Sequence, residues 1–155
     1  METAREKIGQ LIQARADEIV FTSGATEANN LAILGAAERL EERGKHIITC
    51  VTEHHAVLDV CHHLEGRGWQ VTYLPVDSYG LVDPEEVRRA ITSQTILISI
   101  MTANNEIGTI APIAEIGRIA REREVLFHTD ATQAMACLPL DVEAMNIDLL
   151  SLSAH

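Results

Sequence analysis

Val125, Leu126 and Phe127 lead through His128 and Thr129 to Asp130, with Thr132 and Gln133 just beyond. The apolar run reads as a short buried strand. A carboxylate at its end costs several kcal/mol to bury unless a cationic group meets it. Taken alone, Asp130 equally suits a turn aspartate that caps a short helix over 132–135. Its company along the chain points to chemistry: Ser23-Gly24-Ala25-Thr26, Thr52-Glu53-His54, Asn104-Asn105, and Ser153 with His155. A glycine turn that enters a helix offers unpaired backbone N–H groups and the positive end of the helix dipole, so Ala25 and Thr26 make an anion site. Neither GxGxxG nor GxxxxGKS/T occurs, so a dinucleotide fingerprint or a P-loop is not supported.

These clusters need elements to position them. Ala4, Ile8, Leu11 and Ile12 recur at helical spacing, which predicts an amphipathic helix over 3–16 with a packing role. A strand over 18–22 then turns into a long helix that closes near Gly44, apolar through 31–37 and charged in its last turns. Strands follow over 46–51, 70–74, 95–101, 125–130 and 147–152, with helices over 56–65, from Asp83, and over 113–123. Asp83 is the expected N-cap, Pro84 the first helical residue and Glu86 the closing member of a capping box. The strand over 95–101 is almost continuously apolar, as one covered on both faces must be. Such alternation predicts an α/β fold: a mostly parallel sheet with helices on both faces, whose ligands sit beyond the carboxyl ends of the strands. Every polar cluster named above follows a strand, so all fall on that one edge.

Composition bounds the rest. The 155 residues are 46% hydrophobic, enough for one core, and 12 basic against 23 acidic side chains give a net charge of −11. That field repels nucleic acid and anionic membrane, so an anionic ligand must be held locally. No apolar run approaches the roughly 20 residues of a spanning helix, and no signal-peptide core follows Met1. Cys50, Cys61 and Cys137 are odd in number and irregularly spaced, which suits a reducing, cytoplasmic setting rather than a disulfide framework.

The edge asks for a ligand with an anionic group for Ala25, Thr26, Ser153 and His155, a cationic ring atom for Asp130, and a flat face for His54. Pyridoxal 5'-phosphate has all three, and Asp130 would keep its ring nitrogen protonated. A metal is the competing reading, since His54, His55, Cys61, His62 and His63 lie close in sequence. Adjacent histidines on a helix diverge by about 100 degrees, however, and no CxxC or HExxH spacing occurs. No metal site is expected, and His62 and His63 read as surface or partly buried residues.

Phe21-Thr22-Ser23-Gly24-Ala25-Thr26-Glu27, Thr52-Glu53-His54, Asn104-Asn105-Glu106-Ile107-Gly108, His128-Thr129-Asp130-Ala131-Thr132-Gln133 and Ser151-Leu152-Ser153-Ala154-His155 together resemble cysteine desulfurases of the NifS/IscS type. These are class V aminotransferase-like, fold type I pyridoxal phosphate enzymes, and the likeness runs in order over essentially the whole chain. It implies that Ala25, Thr26, Ser153 and His155 bind phosphate, and that His54 stacks on the ring and shuttles protons as the catalytic residue. It further implies that Asn105 contacts cofactor or substrate near the ring oxygen, Asp130 pairs with the ring nitrogen and Gln133 hydrogen-bonds the ring hydroxyl.

The implied reaction takes sulfur from L-cysteine, leaving L-alanine and a persulfide on an enzyme cysteine. Sulfur then passes to an iron-sulfur scaffold or another acceptor protein, and the implied assembly is a homodimer. The family's Schiff-base lysine follows the histidine matched by His155, where this chain stops; Lys7 and Lys45 cannot replace it. Residues 1–155 are therefore expected to be part of the large cofactor-binding domain, without the family's opening segment, its mobile catalytic cysteine and its small C-terminal domain. Such a piece is expected to be inactive alone. A selenocysteine lyase, another class V aminotransferase and a nonenzymatic fragment are the alternatives.

Overall fold

The computed structural model describes residues 2–135 and 137–154. Its strands are His46–Cys50 (β1), Gln70–Leu74 (β2), Thr95–Ser99 (β3), Leu126–Asp130 (β4) and Leu149–Ser151 (β5). They form one sheet in the order β2-β1-β3-β4-β5, parallel at every pairing. The helices are Glu2–Ile12 (α1), Ala25–Leu40 (α2), His55–Glu65 (α3), Pro84–Ala90 (α4) and Ile113–Glu122 (α5).

Successive side chains of a strand point to opposite faces, and both faces here are covered. Ile47 and Leu97 pack beneath α2 and α3 with Ile33, Ala37, Val57, Val60 and Leu64. Their neighbours Ile48, Ile98 and Phe127 face α4 and α5 through Val87, Ile113, Ile116 and Ala120. Both β1 and β3 are buried at every position, which explains the apolar residues at their centres, Ile47 and Ile48 in β1 and Ile96, Leu97 and Ile98 in β3. A smaller cluster of Ile12, Ala103, Ala131, Ala134 and Leu140 sets α1 against the loops beyond β3 and β4.

Polar side chains inside the sheet satisfy one another. The His46 ring lies between Thr95 Oγ1 at 2.7 Å and Thr72 Oγ1 at 2.8 Å. The His128 ring joins Ser99 Oγ at 2.8 Å to Ser151 Oγ at 3.0 Å, so it ties β3, β4 and β5 together. Burial pulls the His128 pKa down to about 4, with the Asp130 charge opposing, and the ring is neutral near pH 7.

Several local expectations need correction. The strand expected over 18–22 does not form: a 3-10 turn at Ala16–Glu18 leads into an extended segment that pairs with no described strand. Val20 and Phe21 are 67% and 45% exposed, so this apolar run lies on the surface. Arg5 donates to the Ile19 carbonyl at 2.9 Å and its guanidinium covers the Phe21 ring at 5.2 Å. The first helix stops at Ile12 instead of 16, because Gln13 takes φ 58° and the Ala14 N–H closes on the Gly9 carbonyl at 2.8 Å. Asp83 does cap α4, accepting from the Glu85 N–H at 2.9 Å, but no capping box closes; Glu86 pairs with Arg89 at 2.6 Å instead.

Candidate active site at the carboxyl edge of the sheet

The clusters after β1, β3, β4 and β5 take their positions from strand ends, and the one at 23–26 takes its position from the start of α2. Gly24 is the extended N-cap of α2, and Ala25 and Thr26 are its first two residues, with the backbone N–H groups that every helix start leaves unpaired. Ser23 donates its N–H to Glu27 Oε2 at 2.6 Å, which folds the entry turn back on the helix. One turn further on, Asn29 is fully buried and donates Nδ2 to Asp130 Oδ2 at 2.7 Å. This bond fastens the start of α2 to the end of β4.

Asp130 is 6% exposed, and its other oxygen accepts the Thr132 N–H at 3.0 Å. The turn-capping role and a second role therefore coexist, one for each oxygen. Residues 131–134 form a turn and not a helix, with Ala134 N–H on the Ala131 carbonyl at 2.9 Å. Gln133 stands exposed on this turn. Among the described residues no basic side chain pairs with Asp130. Asn29 Oδ1 and Thr132 Oγ1 around it are buried without a hydrogen-bond partner. A buried carboxylate flanked by such atoms fits a ligand that presents an N–H⁺.

His54 is the N-cap of α3, its Nδ1 accepting the Ala56 N–H at 3.1 Å. That bond leaves the hydrogen of the neutral ring on Nε2, and the ring itself is exposed. Asn104 shapes the loop after β3: its Oδ1 accepts the N–H groups of Glu106 at 2.9 Å and Ile107 at 3.0 Å, and its Nδ2 donates to the Thr52 carbonyl at 3.0 Å. Asn105 is thereby presented outward beside the His54 loop. The Thr102 N–H reaches the Asp130 carbonyl at 2.9 Å and the Ala131 N–H the Ser151 carbonyl at 2.8 Å, so the loops beyond β3, β4 and β5 adjoin.

Ser153 follows β5 half-buried, and His155 lies outside the described residues. A cavity of about 700 Å³ opens near Ser153 and Gly24, but it runs beneath α1 past Ile8, Ile12 and Ile19 and does not reach Asp130.

The reading of the sequence gave no role at this edge to Asn29, Glu53 or His128. Asn29 had a signal, since it shares the helical stripe of Ile33, Ala36 and Ala37, where a polar residue faces the core. Lys45 stands before β1, at the opposite edge, paired with Glu41 at 2.6 Å. Burial raises the pKa of Cys50, and that of Cys61 to about 12, so both are thiols without nucleophilic character. Among the described residues no group of three or more His, Cys, Asp or Glu side chains is arranged to hold a metal ion, and no helix is long and apolar enough to cross a membrane.

The model of the aminotransferase class-V family matches residues 1–155. The chain is similar to the cysteine desulfurase IscS of Methanosarcina thermophila, 60% identical over 152 residues, which cover 98% of this chain and 38% of that protein. It is likewise similar to the cysteine desulfurase IscS of Dictyoglomus turgidum, 57% identical over 155 residues, covering 100% of this chain and 39% of the relative. Among solved structures, SspA in complex with cysteine superposes with a TM-score of 0.95 at 50% identity, over 99% of this chain and 44% of that one. The chain thus spans about two fifths of the length of these curated relatives. A family match from the first residue to the last, on a backbone shared with solved relatives, means that this chain belongs to the class-V aminotransferase family.

Proposed function

We propose that this chain is part of the large cofactor-binding domain of a cysteine desulfurase and binds pyridoxal 5'-phosphate at the carboxyl edge of its sheet. The observation that carries the reading is Asp130: a buried carboxylate, held by Asn29 and the Thr132 N–H, with no basic partner among the described residues. The names of the relatives support the substrate, L-cysteine.

In this reading the N–H groups of Ala25 and Thr26, with Ser153 and His155, hold the phosphate at the positive end of α2. Asp130 pairs with the ring N–H⁺, Gln133 bonds the ring hydroxyl, Asn105 lies near the ring oxygen and His54 covers the ring face. When bound, pyridoxal phosphate supplies an electron sink for the substrate carbon. His54 takes and returns protons at Nε2, because Nδ1 is committed to the cap of α3. Asn29 fixes the Asp130 carboxylate so that its charge points at the ring nitrogen.

In this proposal the lysine that would bind the cofactor covalently, the mobile cysteine that would receive sulfur as a persulfide and the small domain fall outside residues 1–155. Homodimerisation, a cytoplasmic setting and delivery of sulfur to an iron-sulfur scaffold or another acceptor complete the proposal. Titrating the chain with pyridoxal phosphate and following the visible absorbance of the ring tests it. Saturable binding that Asp130→Ala weakens by about 10- to 100-fold, the loss of one charge-assisted hydrogen bond, is expected. Equal behaviour of both proteins would overturn it.

A further inference from the structure

Among the described residues, three buried side-chain atoms have no hydrogen-bond partner: Asn29 Oδ1, Thr132 Oγ1 and Glu53 Oε2. The first two belong to residues that hold Asp130. Glu53 plays a different part. The residue is 6% exposed, and Oε1 accepts the Met101 N–H at 2.7 Å, reaching from the loop after β1 to the segment after β3. Asn104 crosses in the other direction, donating Nδ2 to the Thr52 carbonyl at 3.0 Å. These crossings bracket the two loops that present His54 and Asn105.

Asp130 at the end of β4 acts on Glu53, and Glu53 in turn acts on the thiols of Cys50 on β1 and Cys61 on α3; none of these groups is basic. An ionised Glu53 would stand near Asp130 with no basic side chain among the described residues paired to it. Burial, and then the Asp130 charge, push its pKa up to about 8 against the Met101 N–H, so the proton stays on at neutral pH.

We propose that Glu53 is a positioning residue of this edge, carried as a neutral carboxylic acid, which locks the His54 loop to the Asn105 loop through its bond to the Met101 N–H. The inference rests on the cofactor reading for its purpose, yet its test needs no cofactor. In the full chain with carbon-13 in its glutamate carboxyl groups, one signal absent from Glu53→Gln should titrate near 8. All glutamates titrating in the ordinary range of about 4 to 5 would overturn the proposal.

Glu53→Gln keeps an acceptor for Met101, so hydrogen exchange at the Met101 amide should be unchanged in it and at least ~10-fold faster in Glu53→Ala. Equal protection in all three proteins would count against the lock. If Glu53→Ala does not fold, the unfolding midpoint of wild type against Glu53→Gln still decides. The wild type should lose ground as pH rises through the neutral range, and parallel profiles would refute the neutral acid. A chain in which Glu53 titrates as expected but which takes up no pyridoxal phosphate would overturn the cofactor reading while supporting the lock.

Discussion

At the scale of single residues, the edge works by giving each polar group two tasks. Asp130 caps its own turn with Oδ1 and takes the Asn29 amide on Oδ2. His54 caps α3 with Nδ1 and keeps Nε2 for solvent or ligand. These tasks separate under mutation. His54→Asn retains a capping acceptor and should leave stability within about 0.5 kcal/mol, whereas His54→Ala should cost about 1 kcal/mol in urea denaturation. Both should change the visible spectrum of bound pyridoxal phosphate, because both remove the ring. An unaltered spectrum in His54→Asn would separate His54 from the cofactor. Asp130 was legible in the sequence because a charge closing an apolar run breaks the local pattern. Glu53 was not, since an exposed glutamate in the same loop would be spelled identically, and its burial depends on Met101 and Asp130, far along the chain.

At the scale of elements, hydrophobic period and capping chemistry carried most of the fold. The strand expected over 70–74 forms at Gln70–Leu74, and Asp83-Pro84 starts α4. The failure over 18–22 has a physical cause: Val and Phe favour extended backbone whether or not a neighbouring strand is present, and pairing is a property of the neighbour. The Schellman ending of α1 at Gln13 was equally hidden, because a left-handed glutamine has no marker in sequence. One close approach does the opposite and leaves a glycine as its trace. Gly117 lies on the buried face of α5, where a Cβ would run into the Met145 carbonyl of the turn before β5. Gly117→Ala should destabilise the chain by about 1–3 kcal/mol despite its better helix propensity, measured by chemical denaturation. A stabilised variant would show that α5 and this turn are not in contact.

At the scale of the molecule, two buried groups set opposite pH slopes. His128 has a folded pKa near 4, below the ordinary 6.5, so its contribution is present above 6.5 and lost as pH falls through 4. Glu53 has a folded pKa near 8, above the ordinary 4.5; its contribution is present below 4.5 and lost as pH rises through 8. Between about 4.5 and 6.5 the two oppose each other, and from 6.5 to 8 Glu53 acts alone. Stability measured by urea denaturation should therefore decline between pH 6.5 and 8, and Glu53→Gln should remove the decline. A wild-type profile that rises over that interval would contradict the assignment. The same sheet edge that gathers these buried groups is the whole basis of the proposed activity, and its central element is the pairing of Asp130 with a pyridine nitrogen. Nitrogen-15 NMR of ring-labelled pyridoxal phosphate added to the chain reports that pairing directly. A protonated ring nitrogen in wild type that becomes deprotonated in Asp130→Ala is the predicted result; a ring nitrogen in the same protonation state in both proteins would contradict it.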